Sequence, residues 1–134
     1  RAKFVSAYTS SGLTPDGSST YYLAKHVGLL RAKELMLTNR VLTAAEAQAW
    51  GLVNKVVPPE TVMDEARAIA RQIASGPTRA FGGVKRLLDT AFSDGLETQL
   101  ERETRSIADM MCTKDGPAGI AAFLAKQTPR FEGT

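Results

Sequence analysis

The sequence predicts a mostly α-helical chain of the α/β class carrying one or two short strands. Three observations point there. From Ser19 to Lys126 apolar residues recur mostly at helical spacing. Two short stretches, Lys3 to Tyr8 and Leu52 to Val57, instead alternate and are rich in β-formers. Between the first of these and the first helix lies Pro15-Asp16-Gly17, a turn with a mechanism, since Pro presets its own φ and Gly tolerates a positive one.

In chain order, Lys3 to Tyr8 reads as a strand feeding that turn. A single strand leaves its N–H and C=O groups unpaired, so it calls for further strands that the sequence does not supply. Ser19 to Val27 reads as a helix closed by Gly28, and Leu30 to Leu37 as a second, with Leu35 and Met36 inward and Arg31, Lys33 and Glu34 outward. Thr43-Ala44-Ala45-Glu46 is a capping box that opens a short helix ending at Trp50 and Gly51. Leu52 to Val57 reads as a second strand, stopped by Pro58-Pro59. Thr61 to Ser75 is an amphipathic helix capped by Thr61 and closed by Gly76-Pro77. Three more follow: from about Pro77 or Thr78 to Phe92, from Leu96 to Met111, and from Ala118 to Lys126. Gly82-Gly83 inside the first of these suggests close backbone packing, and the T-P-R-F-E-G-T tail reads as frayed.

A chain of 134 residues is one domain at most, and one that can bury a real core. Its 43% hydrophobic and 23% charged content is that of an ordinary soluble protein. The net charge of +3 comes from Lys and Arg dispersed among acids, which does not indicate nucleic-acid binding. One cysteine, Cys112, makes no disulfide framework, and no apolar run approaches the ~20 residues of a membrane span; a cytoplasmic location is the expectation. His26, the single histidine, reads as a helix-end residue that interacts favourably with the dipole, and no metal site is expected. Arg1 opens the chain with no initiator Met and no charged-plus-apolar leader, and a strand-like segment follows at once. The expectation is a piece that begins inside a fold, with no signal or transit peptide.

The chemistry-bearing residue is Asp16. Local pattern alone gives it two roles, an N-cap or Asx-turn residue for the helix that follows, or an acid presented by the turn. The surroundings favour the second. The run F-V-S-A-Y-T-S-S-G-L-T-P-D-G-S-S-T-Y-Y-L resembles the second half of the active site in the crotonase (enoyl-CoA hydratase/isomerase) superfamily, nearest the branch whose acid follows a G-L-x-P turn. That branch includes phenylacetate-pathway epoxide isomerases and enoyl-CoA isomerases. The run L-T-N-R-V-L-T-A-A-E-A-Q-A-W-G-L-V-N-K-V-V-P resembles the superfamily segment that returns the chain to a last short strand, and there Arg40 and Glu46 are structural.

The resemblance implies the α/β crotonase (ClpP/crotonase) spiral, of which this chain is the mostly helical C-terminal half. Residues 1–58 would be the end of the core and 59–134 a helical region that packs protomers into a homotrimer or hexamer. The missing N-terminal half would supply the two N–H groups that hold a thioester enolate. It further implies an acyl-CoA substrate, with coenzyme A entering as part of that substrate and no separate cofactor, and Asp16 as proton shuttle. The fragment alone would be inactive. Tyr8 falls where hydratases carry a glutamate, which favours isomerisation over hydration. Tyr8, Leu13 and Pro15 would favour the neutral form of the acid and the adjacent helix N-terminus the charged form. Ser18 and Ser11 depart from the family, which commonly has a glycine and an apolar residue there. Lys126 aligns with a lysine near the CoA nucleotide and Phe123 flanks it; on local pattern alone they are a helix-end cation and a core residue. The alternatives are a hydratase-like enzyme, a dehalogenase-like one with Asp16 as nucleophile, and a non-catalytic CoA-binding or oligomerisation module.

Overall fold

Leu42 and Ala47 lie wholly out of solvent, and the elements packed around them are those that position the Asp16 turn. The computed structural model describes residues 2–134; the chain up to Val62 forms one unit and Met63–Thr134 a second.

In the first unit, strand β1 (Lys3–Phe4) pairs antiparallel with β2 (Leu42–Thr43), Lys3 opposite Thr43 and Phe4 opposite Leu42. This corrects two expectations: the strand is two residues long rather than six, and the chain itself supplies a partner. The strand stops early because the Tyr8 carbonyl accepts the N–H groups of Ser11 and Leu13, curling Thr9–Ser11 into a 3₁₀ turn. The Thr9 hydroxyl donates to the Met36 carbonyl at 2.6 Å and so fastens this turn to the end of the second helix.

Helix α1 (Ser19–Val27) ends at Gly28, and α2 (Leu29–Thr38) packs against it before ending at Asn39 in a left-handed conformation. Helix α3 (Ala44–Ala49) opens with the expected capping box, the Thr43 hydroxyl accepting from the Glu46 N–H while the Glu46 carboxylate accepts from the Thr43 N–H. Phe4, Leu23, Trp50, Leu52 and Val53 pack onto the centre formed by Leu35, Leu42 and Ala47. Arg40 pairs with Glu46 and with Glu34, and the guanidinium groups of Arg31 and Arg40 approach the Trp50 ring at 4.8 and 5.0 Å. Arg40 and Glu46 therefore hold structure.

The expected last strand, Leu52 to Val57, is not a strand. The N–H groups of Leu52 and Val53 turn back to the Ala47 carbonyl, at 2.8 and 3.4 Å, to finish α3, and no ladder partner lies beside Lys55–Val57 among the described residues. Alternation alone marks a surface fit for a sheet; it does not provide the neighbouring strand.

Thr43 donors hold the Glu46 carboxyl below its ordinary value of 4.5, its backbone N–H contributing most, then its hydroxyl; partial burial opposes them, and Arg40 adds a smaller effect in the same direction as Thr43. A depressed folded value contributes stability that is full above the unfolded value and is lost as pH falls through the folded one. Glu46→Gln is thus expected to flatten the loss of thermal stability on acidification below about pH 4.5. Melting curves of wild type and variant across that range check this; parallel curves would exclude Glu46 from the acid transition.

A 3₁₀ turn at Pro59–Thr61, at the end of the first unit, leads into α4 (Val62–Ala74), most of which belongs to the second. Thr61 is not the expected cap, since its hydroxyl donates backward to the Pro58 carbonyl. Helices α5 (Thr78–Thr90), α6 (Leu96–Met111) and α7 (Asp115–Leu124) follow, α5 packing on α6 and α6 on α7. Gly83 explains the close approach expected within α5: it is buried, and a Cβ there would lie 3.2 Å from the Ser106 hydroxyl oxygen.

Helix α7 starts at Asp115 rather than Ala118, and the tail is tied down rather than frayed. Asp115 is 6% exposed, and its two carboxylate oxygens accept the N–H groups of Glu132 and Gly133, each at 2.8 Å. The Thr134 carbonyl accepts the Lys114 N–H at 3.0 Å, and Gly119 leaves room for the Phe131 ring. Hydrogen bonds to a charged group contribute about 1.5–3 kcal/mol each, which offsets part of the entropy cost of ordering the Thr128–Thr134 tail.

Candidate active site

The turn before α1 is centred one step later than Pro15-Asp16-Gly17. Gly17 (φ 59°) and Ser18 (φ 62°) are both left-handed, and the Asp16 carbonyl accepts the Ser19 N–H at 3.0 Å and the Ser19 hydroxyl at 2.7 Å. Two successive positive φ values are the signature of a primed turn, which glycine meets without cost and serine does not. It is the backbone of Asp16 that closes this turn. Its carboxylate makes no capping bond to α1, so the side chain is left to face outward.

There it meets Tyr8. The phenolic hydroxyl donates to Asp16 Oδ1 at 2.9 Å, and no bond to Oδ2 is formed among the described residues. The Tyr8 phenol is raised above its ordinary value of 10.0, first because its hydroxyl is bonded to the carboxylate, then by that carboxylate's charge, and last by partial burial.

Tyr8 also lines a cavity of about 390 Å³ with Phe4, Val5, Tyr22, Leu23 and Met36 among its walls, so Asp16 stands one hydrogen bond from an apolar hollow. A mostly apolar cleft with few polar groups is the usual setting for a small-molecule site. Ser19, Tyr22, Leu23 and His26 line it from α1 at positions i, i+3, i+4 and i+7, one helix face. The 3.6-residue period contained that grouping, although only Asp16, Tyr8 and Leu13 stand out by motif. His26, expected to act at the helix end, lies in the last turn of α1 and on this wall as well.

The other candidate residues lie elsewhere. Leu13 is 62% exposed and is not on the cavity wall, and Pro15 is half-buried. The apolar surround expected of Tyr8 is instead a hydroxyl bonded to the acid. Lys126 and Phe123 belong to the second unit. Phe123 is 79% exposed, which removes the reading of it as an ordinary core residue. Lys126 has a left-handed backbone (φ 54°) and ends α7 in a Schellman arrangement, its N–H bonded to the Phe123 carbonyl and the Gln127 N–H to that of Ala122. Among the described residues no group of three potential metal ligands occurs, and no helix is long and apolar enough to cross a membrane.

The chain is similar to known proteins in both sequence and backbone. The family profile described as enoyl-CoA hydratase/isomerase matches residues 1–134. The chain is similar to a 1,2-epoxyphenylacetyl-CoA isomerase of Escherichia coli K12, at 39% identity over 98% of this chain and 50% of the relative. It is similar to 4-chlorobenzoyl coenzyme A dehalogenase-1 of an Arthrobacter species, at 41% identity over 95% of this chain and 46% of the relative. Among solved structures, an enoyl-CoA hydratase/isomerase from Cupriavidus metallidurans CH34 superposes with a TM-score of 0.93 at 39% identity, over 99% of this chain and 50% of that one. The chain thus spans about half the length of the relatives it matches. With the profile matched from first residue to last and the backbone superposing so closely, the chain belongs to the enoyl-CoA hydratase/isomerase family and has the mostly helical half of the crotonase fold.

Proposed function

We propose that this chain carries the acid of an acyl-CoA isomerase that works through a thioester enolate, of the enoyl-CoA or 1,2-epoxyphenylacetyl-CoA type. The observation behind this reading is the Asp16 carboxylate, bonded at Oδ1 by Tyr8 and with no bond at Oδ2 among the described residues, next to an apolar cavity. In the isomerisation, Oδ2 takes the proton from C2 of the acyl group and the C–H electron pair passes into the thioester as an enolate. The enolate then collapses through the former double bond while Oδ2–H returns the proton at C4, so that the carboxylate is regenerated and a double bond has moved by one position. One group serves as base and then as acid. Tyr8 in place of a second carboxylate leaves water addition without its usual partner.

The enolate oxygen would be held by two N–H donors in an upstream half of the same fold, and coenzyme A would enter as part of the substrate, with no separate cofactor. Assembly as a trimer or hexamer fits the many apolar side chains that α4 to α7 leave exposed, Ile69, Ile73, Leu96, Ile107 and Leu124 among them, and a cytoplasmic location belongs to the same reading.

A second reading follows from the dehalogenase relative. A carboxylate with one oxygen held and the other free is also suited to nucleophilic attack, and Asp16 would then form an ester with the substrate carbon as halide leaves. Offering a 2-enoyl-CoA, a 3-enoyl-CoA and a haloaroyl-CoA to the active protein separates the readings. Double-bond migration without halide release supports isomerisation, and halide release at a rate exceeding migration replaces it with the second reading.

Lys126 has a sharper test than removal of its charge. A non-glycine residue in the left-handed region costs about 1–2 kcal/mol, so a lysine held there calls for a return elsewhere, which contact with the CoA nucleotide would give. Lys126→Gly is expected to raise thermal stability, by about 0.5–1 kcal/mol after the added freedom of the unfolded chain, while weakening CoA binding several-fold. Melting and CoA titration of the same variant check both; unchanged CoA affinity would leave Lys126 as a plain helix terminus.

A further inference from the structure

We propose that Tyr8 is the positioning residue of Asp16, fixing the carboxylate by a bond to Oδ1 so that Oδ2 alone meets the substrate. The inference rests on the reading of Asp16 as the reacting acid and extends it to a residue that does not itself react. Its starting point is that the bond is not needed for the fold. At one end, the Tyr8 carbonyl is already bonded to Ser11 and Leu13, and at the other the Asp16 carbonyl already holds Ser19. The Thr9 hydroxyl fastens the same loop to α2. With the main chain settled at both ends, the 2.9 Å contact adds one thing, the rotation of a carboxylate that would otherwise turn freely at an exposed site.

The choice of donor matters too. A phenol donates as a neutral group, so it can orient the carboxylate without forming the ion pair that Lys or Arg would form. Tyr8 lines the cavity and its hydroxyl bonds the acid, so one side chain links the carboxylate to the hollow. The raised phenol agrees with a hydroxyl that stays protonated and donating. A base held in one orientation loses fewer productive encounters than one that rotates, and misplacement by a fraction of a bond length is felt in the turnover step rather than in binding.

Two measurements test this. In the active protein with its upstream half, Tyr8→Phe keeps the ring and removes the hydroxyl; it is expected to lower kcat about tenfold with KM changed less than about twofold. In parallel, carbon-13 tyrosine labelling follows the phenol of Tyr8 through its titration, with the Tyr8→Phe spectrum giving the assignment. Asp16→Asn should bring that titration down toward 10.0. Tyr22 and His26 line the same cavity, so the comparison is read on the assigned Tyr8 resonance alone. A Tyr8 titration indifferent to Asp16→Asn, or a Tyr8→Phe enzyme with unchanged kcat beside an inert Asp16→Asn, overturns the positioning role and leaves Asp16 as the acid. Full turnover in Asp16→Asn overturns the acid itself and the proposal with it.

Discussion

Asp16→Asn should lower isomerisation of an acyl-CoA by about 10²–10⁴-fold while leaving the helical content and the assembly of the protein unchanged. The size follows from what a positioned base contributes, and the sparing of the fold follows from the structure. The turn is held by the Asp16 carbonyl, which asparagine retains, and the carboxylate caps no helix. An amide of the same shape can still accept the Tyr8 hydroxyl, so the substitution removes the charge and the proton affinity and little else. Steady-state turnover read beside sedimentation and circular dichroism checks both halves of the statement. An Asn variant with wild-type turnover would remove Asp16 as the reacting acid.

The second large effect concerns the half of the fold that the relatives possess and these 134 residues do not contain. If the enolate is stabilised by two backbone N–H groups from that half, each donor is worth about 10²–10³ in rate, or about 2.7–4 kcal/mol. A base contributing 10²–10⁴ cannot offset the loss of both. The isolated 134-residue polypeptide is therefore expected to show no turnover above background, and a protein in which the same sequence follows its upstream half is expected to be active. Assay of the two at equal concentration decides the matter, and equal activity would place the oxyanion donors within the present chain.

Much of this was legible before any coordinates. The bounds of α1 and α6 follow from their flanks: Gly28 closes the first, and the apolar stripe from Leu96 to Met111 defines the second. The Thr43–Glu46 box is a rule of four residues, and four residues were enough to read it. What the sequence concealed is what depends on distant partners. Leu42–Thr43 is a strand only because Lys3–Phe4 lies beside it, and Thr43 was already explained as a cap. Leu52 to Val57 alternates but has no ladder partner among the described residues. The tail has no pattern of its own and is ordered by Asp115, seventeen residues upstream of its first contact. At the site, the acid was evident from its turn, whereas the Tyr8 bond spans eight residues across a 3₁₀ turn and the left-handed Gly12, a geometry no periodicity encodes.

The pair of guanidinium groups at Trp50 has a practical consequence. Trp50 is the sole tryptophan in the sequence and belongs to the first unit, so its intrinsic fluorescence reports on that unit alone. The approach of Arg31 and Arg40 to the indole will be lost when the unit opens, and the emission will change with it. Far-ultraviolet dichroism, weighted toward the long helices α4 to α6, follows the other unit. A chemical denaturation recorded by both probes at once therefore reads out whether the two halves of this polypeptide melt together or in turn.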